Sequence, residues 1–192
     1  MGIFKTAFET ARLMHRTHKQ HPDDRLFRRM AVDLALLHIA HPIKAVKTWK
    51  WFSTWKREYL HAWVENAGKQ HYSVDRDVDR KIVHEPVYGF YYLKMYADIV
   101  SFTRRLAHKL STEEFERAIS VFMRATEIAG RIFRECPTTT SLGAKPYDHA
   151  PLRLIQLLDT PVNCCPSLHI AYLSLMENFS RMYGLPQLPG NE

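Results

Sequence analysis

The sequence predicts an all-α protein, a single-domain bundle of about six to seven helices. Three observations carry that expectation. Apolar residues recur at three- and four-residue steps through most of the chain, the spacing of one helix face. Glycine is scarce, 7 of 192 residues, which disfavours hairpin-rich β architecture and glycine-rich nucleotide loops; neither G-x-G-x-x-G nor a P-loop is present. Apolar residues make up 46% and charged residues 24%, so a packed core is within reach and intrinsic disorder is not expected.

The elements follow in order. Residues 3–18 place Ile3, Phe4, Ala7, Phe8, Ala11 and Met14 on one stripe of a first helix. His21-Pro-Asp-Asp24 supplies turn and cap chemistry, and a second helix runs to about His41. Pro42 suits the first turn of a third helix, rich in aromatics from Trp49 to Trp63 and stopping near Gly68. The polar residues 69–85 read as a surface connection or a short helical turn. Two long amphipathic helices follow over about 86–109 and 112–134. Ser111 and Glu114 form a capping-box pattern between them, and their short junction predicts antiparallel neighbours. Beyond Pro137 come a loop to residue 151, a short helix near 151–158, a second loop to Cys165, and a last helix from Pro166 to about Tyr183. No internal repeat is evident. Residues 1–84 are read as helices packing on the core and 85–192 as the region carrying chemistry, within one continuous domain.

Three cysteines are too few for a disulfide scaffold and fit a reducing, cytoplasmic setting. There is no 18-residue apolar run and no secretory hydrophobic segment at the N-terminus. A net charge of +7 with 11 histidines favours anionic partners. The basic and aromatic residues of 49–63 read as core, and no nucleic-acid partner is expected. Residues 3–18, basic and amphipathic behind a Met1-Gly2-x-x-x-Thr6 myristoylation pattern, offer peripheral membrane contact.

The segment most informative about chemistry is Asp159-Thr-Pro-Val-Asn163-Cys-Cys-Pro166-Ser-Leu-His169. It sets Ser167 and His169 at a helix start, where unpaired N–H groups and the positive dipole end favour an anion. Ser167 adds a hydroxyl donor, and His169 is placed to protonate a leaving oxygen. Lys145 and His149 in the loop before residue 151, and Arg153 in the short helix that follows it, suit a phosphate oxyanion.

This ordered set resembles the phosphatidic acid phosphatase type 2 and vanadium haloperoxidase superfamily, in its inositol phosphorylceramide synthase-like branch. The likeness covers roughly residues 85–180. It includes Pro137-Thr138 after a helix, Lys145-Pro146, and then Asp-x-Pro-x-Asn-x-x-Pro-Ser-Leu-His. The resemblance implies a phosphatase or phosphotransferase acting on a phosphorylated lipid, isoprenoid or small molecule. His169 and Ser167 would be catalytic, with Lys145, Arg153, His149 and Asn163 on the substrate. No metal or cofactor is implied beyond bound phosphate or vanadate.

The chain departs from the family in three ways. Lys145-Pro146 stands for Arg-Pro and Thr138 for a lysine. The matching helices carry charges, Arg104, Arg105, Glu116, Arg117, Arg124, Glu127 and Arg131 among them, where most relatives span membranes. Ser180-Arg181 matches the start of the last motif, but Gln187 and Asn191 fall where its nucleophilic histidine and aspartate belong. His71-x-x-x-Asp75 has the spacing of that pair if helical.

Two rival readings follow. One is a non-catalytic binding or subunit module; a related reading is that a partner chain, a second copy or a longer native product supplies the absent motif. The other is a helical metalloenzyme using the i, i+3 histidines His15, His18, His21, His38 and His41.

Overall fold

The computed structural model describes residues 25–66, 68–73, 87–139 and 167–186. Among these residues the protein is all-α, with five helices and one two-residue parallel strand pair. The helices are α1 (Arg25–Ala40), α2 (Pro42–Asn66), α3 (Val87–Lys109), α4 (Thr112–Glu135) and α5 (Leu168–Tyr183). The strands are β1 (Tyr72–Ser73) and β2 (Thr138–Thr139), paired Tyr72 to Thr138 and Ser73 to Thr139. The expected count of six to seven helices is thus five over the described residues; the helices expected at 3–18 and 151–158 lie outside them. Residues 72–73, read as a connection or helical turn, are extended, because Tyr72 N–H pairs with the Pro137 carbonyl at 2.9 Å.

Helices α1 and α2 are nearly one helix. His41 N–H still bonds the Leu37 carbonyl and Ala45 N–H the His41 carbonyl. Pro42, lacking a donor, breaks the ladder and starts α2. The chain bends sharply there. Trp49 Nε1 donates to His38 Nε2 at 2.7 Å across 11 residues, which a straight helix would spread over about 16 Å. Helices α3 and α4 form a second bend at Leu110 and diverge from it, so they are not the antiparallel neighbours that their short junction predicts; each packs on a helix of the first rod instead. A capping box starts α4: Ser111 Oγ accepts from Glu114 N–H, and the Glu114 carboxylate accepts from Ser111 N–H.

The two bent rods pack side by side in the same direction, α1 on α3 and α2 on α4. They bury matching positions. Asp33 and Phe102, and Leu37 and Leu106, stand at one constant separation along the chain. Lys44 and Phe115, Trp51 and Phe122, and Ala62 and Phe133 stand at another, slightly longer one. With β1 and β2 following α2 and α4, the fold is a duplicated helix–bend–helix–strand unit. The sequence hides this because only Leu37 with Leu106 and Trp51 with Phe122 are alike in chemistry, while the other pairs share burial alone.

The α2–α4 seam is tight. Gly130 lies against Glu58, so that a Cβ there would stand 2.9 Å from Glu58 Cβ. Burial opposes ionisation of Glu58, but hydrogen bonds from Arg134 and Arg57 outweigh it and hold its carboxyl below the usual range. At the lower end Asn66 Nδ2, fully buried, donates to the Phe133 carbonyl at 2.6 Å.

Helix α5 fills the angle between α3 and α4. His169 meets Tyr96 of α3 edge-on at 6.2 Å. Tyr172 reaches Thr126 of α4, and Phe179 stacks on Phe122 near the bend. Beyond it, Arg105 Nη1 donates to the Pro186 carbonyl. The helix therefore runs inward from the mouth of the angle to its apex. Gly184, at φ 61°, closes α5 in the left-handed conformation that only glycine adopts cheaply.

Two predictions follow. Gly130→Ala will lower stability by about 1–3 kcal/mol, although alanine is the better helix former by about 1 kcal/mol, because Glu58 Cβ cannot swing away; a raised Tm would show that α2 and α4 can part. At the bend, His41 lies 5.8 Å from the His108 ring. Burial, then the charge of Lys44, then His108 lower its pKa. The unfolded chain then binds this proton at higher pH than the folded one. Stability is full above the ordinary histidine value of about 6.5 and falls as pH drops below it. Urea melts across that range will show a shallower pH dependence in His41→Asn.

Candidate functional site

The expected site lies at the mouth of the α3–α4 angle, where α5 begins. The helix starts at Leu168 rather than Pro166. Ser167 is its N-cap, in extended conformation, and its Oγ accepts from Ile170 N–H at a long 3.4 Å. A hydroxyl that accepts there still carries its own hydrogen, so the cap role leaves it one donor. His169 occupies the second helical position, half-buried, with its ring against Tyr96. Three residues on, Tyr172 anchors the same turn to the core.

That anchor is a directed chain. Trp51 Nε1 donates to Tyr172 Oη at 3.2 Å, and Thr126 Oγ1 donates to the Phe122 carbonyl at 2.8 Å. The remaining contact, Tyr172 Oη to Thr126 Oγ1 at 2.6 Å, is then donated by the tyrosine. Each group is satisfied inside an apolar core, and burial raises the Tyr172 pKa. The arrangement fixes the rotation of α5, and with it the side on which His169 emerges.

Of the residues expected to build the site, Ser167 and His169 fall together at this mouth. Lys145, His149, Arg153 and Asn163 lie outside the described residues. Ser180 and Arg181 do not join them, standing about 16 Å further along α5. Ser180 is buried near the apex, and Arg181 pairs with Glu177 on the surface. His71 precedes an extended strand, not a helix, so the helical pairing with Asp75 is not formed at its start.

Of the histidines considered as metal ligands, His38 Nδ1 lies 2.7 Å from the Leu34 carbonyl while its Nε2 takes the Trp49 proton. His41 faces His108. Among the described residues no group of three or more His, Cys, Asp or Glu side chains is placed to hold a metal.

The sequence reading missed a polar cluster between α1 and α3. Asp33, Asp98 and Ser101 are buried. Arg104 Nε stands 2.6 Å from Asp33 Oδ1, and Lys94 Nζ 2.9 Å from Asp98 Oδ2. Arg29 Nε donates to Ser101 Oγ at 3.0 Å while its Nη2 lies 3.4 Å from Asp98. Ser101 Oγ in turn donates to Asp33. Arg105 lies beside them; burial and the neighbouring Arg29 push its pKa down. The signal was present as a polar stripe, Lys94, Asp98, Ser101 and Arg105, at helical spacing within an otherwise apolar α3. Arg104 and Arg105, two of the charges that set these helices apart from membrane-spanning relatives, are half-buried, Arg104 against Asp33 and Arg105 with one N–H on the Pro186 carbonyl.

Known protein families, curated proteins and solved structures contain no match to this chain. Among the described residues no helix is long and apolar enough to cross a membrane.

The cluster yields one prediction. Asp33→Asn keeps the shape but removes the charge facing Arg104 and Arg29. Since both arginines are about one third exposed, the cost will be about 2 kcal/mol, below that of a fully buried pair, read as a lowered urea midpoint with unchanged helicity.

Proposed function

We propose that the protein binds a phosphate or diphosphate group at the start of α5, and acts as a phosphatase or phosphotransferase on a phosphorylated lipid, isoprenoid or small molecule. The observation that carries this reading is the position of His169. It is half-buried on the first turn of a helix capped by Ser167, within the ordered motif from Asp159 to His169. The first-turn N–H groups and the helix dipole favour an anion at that spot. The Ser167 hydroxyl has a hydrogen to give it, and His169 supplies a proton to the oxygen that leaves. Lys145 and Arg153 would balance the phosphate charge, with His149 and Asn163 beside them.

A second reading, a non-catalytic phosphate-binding module, is favoured by the place of Ser180 and Arg181. They stand at the far end of α5 and contribute nothing beside His169, and the positions expected for a nucleophilic histidine and its aspartate hold Gln187 and Asn191. Covalent phosphohistidine chemistry needs that nucleophile. Under this reading the site holds the anion without turnover.

The two separate in one experiment. Purified protein is assayed against phosphate esters and lipid diphosphates, and the His169 resonance is followed by NMR as vanadate or phosphate is added. Turnover reduced at least about 100-fold in His169→Ala supports the enzyme. Anion-dependent shifts of His169 without turnover support the binding module. Neither turnover nor any perturbation of His169 at millimolar anion rejects the site.

A further inference from the structure

Apart from α5, the most unusual surface is the outer side of the first bend. Ile39 is 78% exposed, Ile43 62%, Val46 66%, Trp49 48% and Phe52 47%. These are large apolar side chains crowded at one corner of the molecule, where scattered single residues are the norm. Along α2, Ile43, Val46, Lys50, Ser53 and Arg57 recur at three- and four-residue steps on the side turned away from Trp51 and Ala62. The apolar members crowd the bend, and the cations follow it.

The charge is one-sided. From Leu34 to Arg57 the sequence contains no aspartate or glutamate, but it contains Lys44, Lys47, Lys50, Lys56 and Arg57. Lys44 is buried and Lys47 pairs with Glu116 across the seam. Lys50 and Lys56 remain exposed and unpaired among the described residues, while Arg57, also exposed, pairs with Glu58.

The polar groups among the apolar residues are already satisfied within the fold. Trp49 gives its Nε1 proton to His38, and His38 Nδ1 meets the Leu34 carbonyl. Thr48 Oγ1 donates to the Lys44 carbonyl and Thr54 Oγ1 to the Lys50 carbonyl.

We infer that this bend is a docking surface for an anionic lipid bilayer. Exposed apolar side chains beside a tryptophan, rimmed by lysine and arginine, match the border between headgroups and acyl chains. Because the Trp49 and threonine donors are bonded internally, entering that border leaves none of them without a partner. A second copy of this chain fits less well, since a symmetric contact would set the cations against themselves. The inference stands apart from the phosphate reading of α5, whose residues it does not use.

The test is co-sedimentation of the full chain with phosphatidylcholine vesicles, with and without phosphatidylserine, at low salt and at about 1 M salt, where screening acts within about 3 Å. Binding is expected only to the phosphatidylserine vesicles, weakened at high salt. Removing the Lys50 and Lys56 charges together (Lys50→Gln, Lys56→Gln) will weaken partitioning by roughly fivefold per cation. Ile43→Ser with Val46→Ser will weaken it at least about tenfold. Circular dichroism of each variant establishes that it is folded.

Three results overturn the proposal: no sedimentation with anionic vesicles; binding lost in Phe4→Ser with Phe8→Ser but retained in the α2 variants; or a dimer in solution that Ile43→Ser with Val46→Ser dissolves while vesicle binding is absent.

Discussion

The buried ammonium of Lys44 sets the register of the fold. Where a helix ends inside a protein, its last carbonyls need donors. At the end of α3 those carbonyls belong to Ala107 and Leu110, and Lys44 Nζ bonds both at 2.6 Å from the first turn of α2, above the Phe115 ring. One side chain thereby satisfies the second bend from within the first. Slipping one rod along the other by a turn would leave a buried cation without acceptors and two carbonyls without donors, each a cost of roughly 1–3 kcal/mol or more. With this register fixed, Lys47 meets Glu116, Trp51 meets Phe122 at 4.9 Å, and Arg134 meets Glu58.

The register also shapes the space that α5 occupies. Parallel bent rods leave an open angle between α3 and α4, lined by Phe102, Phe122 and Thr126, and a single helix with Tyr172, Met176 and Phe179 on one stripe fills it. Met176 is completely buried, so α5 is a structural member as much as a carrier of chemistry. The hydrogen-bond chain from Trp51 through Tyr172 and Thr126 to the Phe122 carbonyl links α2, α4 and α5 in one core. His169 lies one turn before Tyr172, which couples its orientation to the packing of both rods.

Much of this was legible in the sequence, and what was not has physical reasons. Pro42 and the Ser111–Glu114 box marked where α2 and α4 begin, and the helix periods gave all five described helices to within about two residues. The short junction at Leu110 predicts an antiparallel pair, but α3 and α4 diverge because each finds its partner in α1 or α2. The duplication was hidden because Lys44 answers to Phe115 and Ala62 to Phe133; burial repeats while residue chemistry does not. The strand pair was hidden because two residues carry no alternation and the partner lies far along the chain. The polar stripe on α3 was hidden because arginines on an amphipathic helix are ordinarily solvated, and only the facing Asp33 of α1 gives them partners inside. At the candidate site the helix start and its two polar residues were legible, with Ser167 moved from first turn to cap.

The placement of charge bears on how a basic protein meets anions. Part of the positive charge is internal: Arg29, Lys94, Arg104 and Arg105 gather around only Asp33 and Asp98. Burial, then repulsion from Arg29, lowers the pKa of Arg105, while the ion pairs of the others to Asp33 and Asp98 are turned inward, so this region contributes cohesion between α1 and α3 rather than an open anion surface. Elsewhere Arg117, Arg124 and Arg181 each face a glutamate on their own helix, which cancels their fields beyond about a Debye length of 8–10 Å. Along α2, from the bend to Arg57, the sequence provides no such carboxylates; Lys47 and Arg57 find theirs only in Glu116 and Glu58. Net charge alone therefore says little about location: on α2 the exposed Lys50 and Lys56 have no carboxylate partner among the described residues and follow the exposed apolar side chains of the bend, where a diffuse anionic surface gains from both at once.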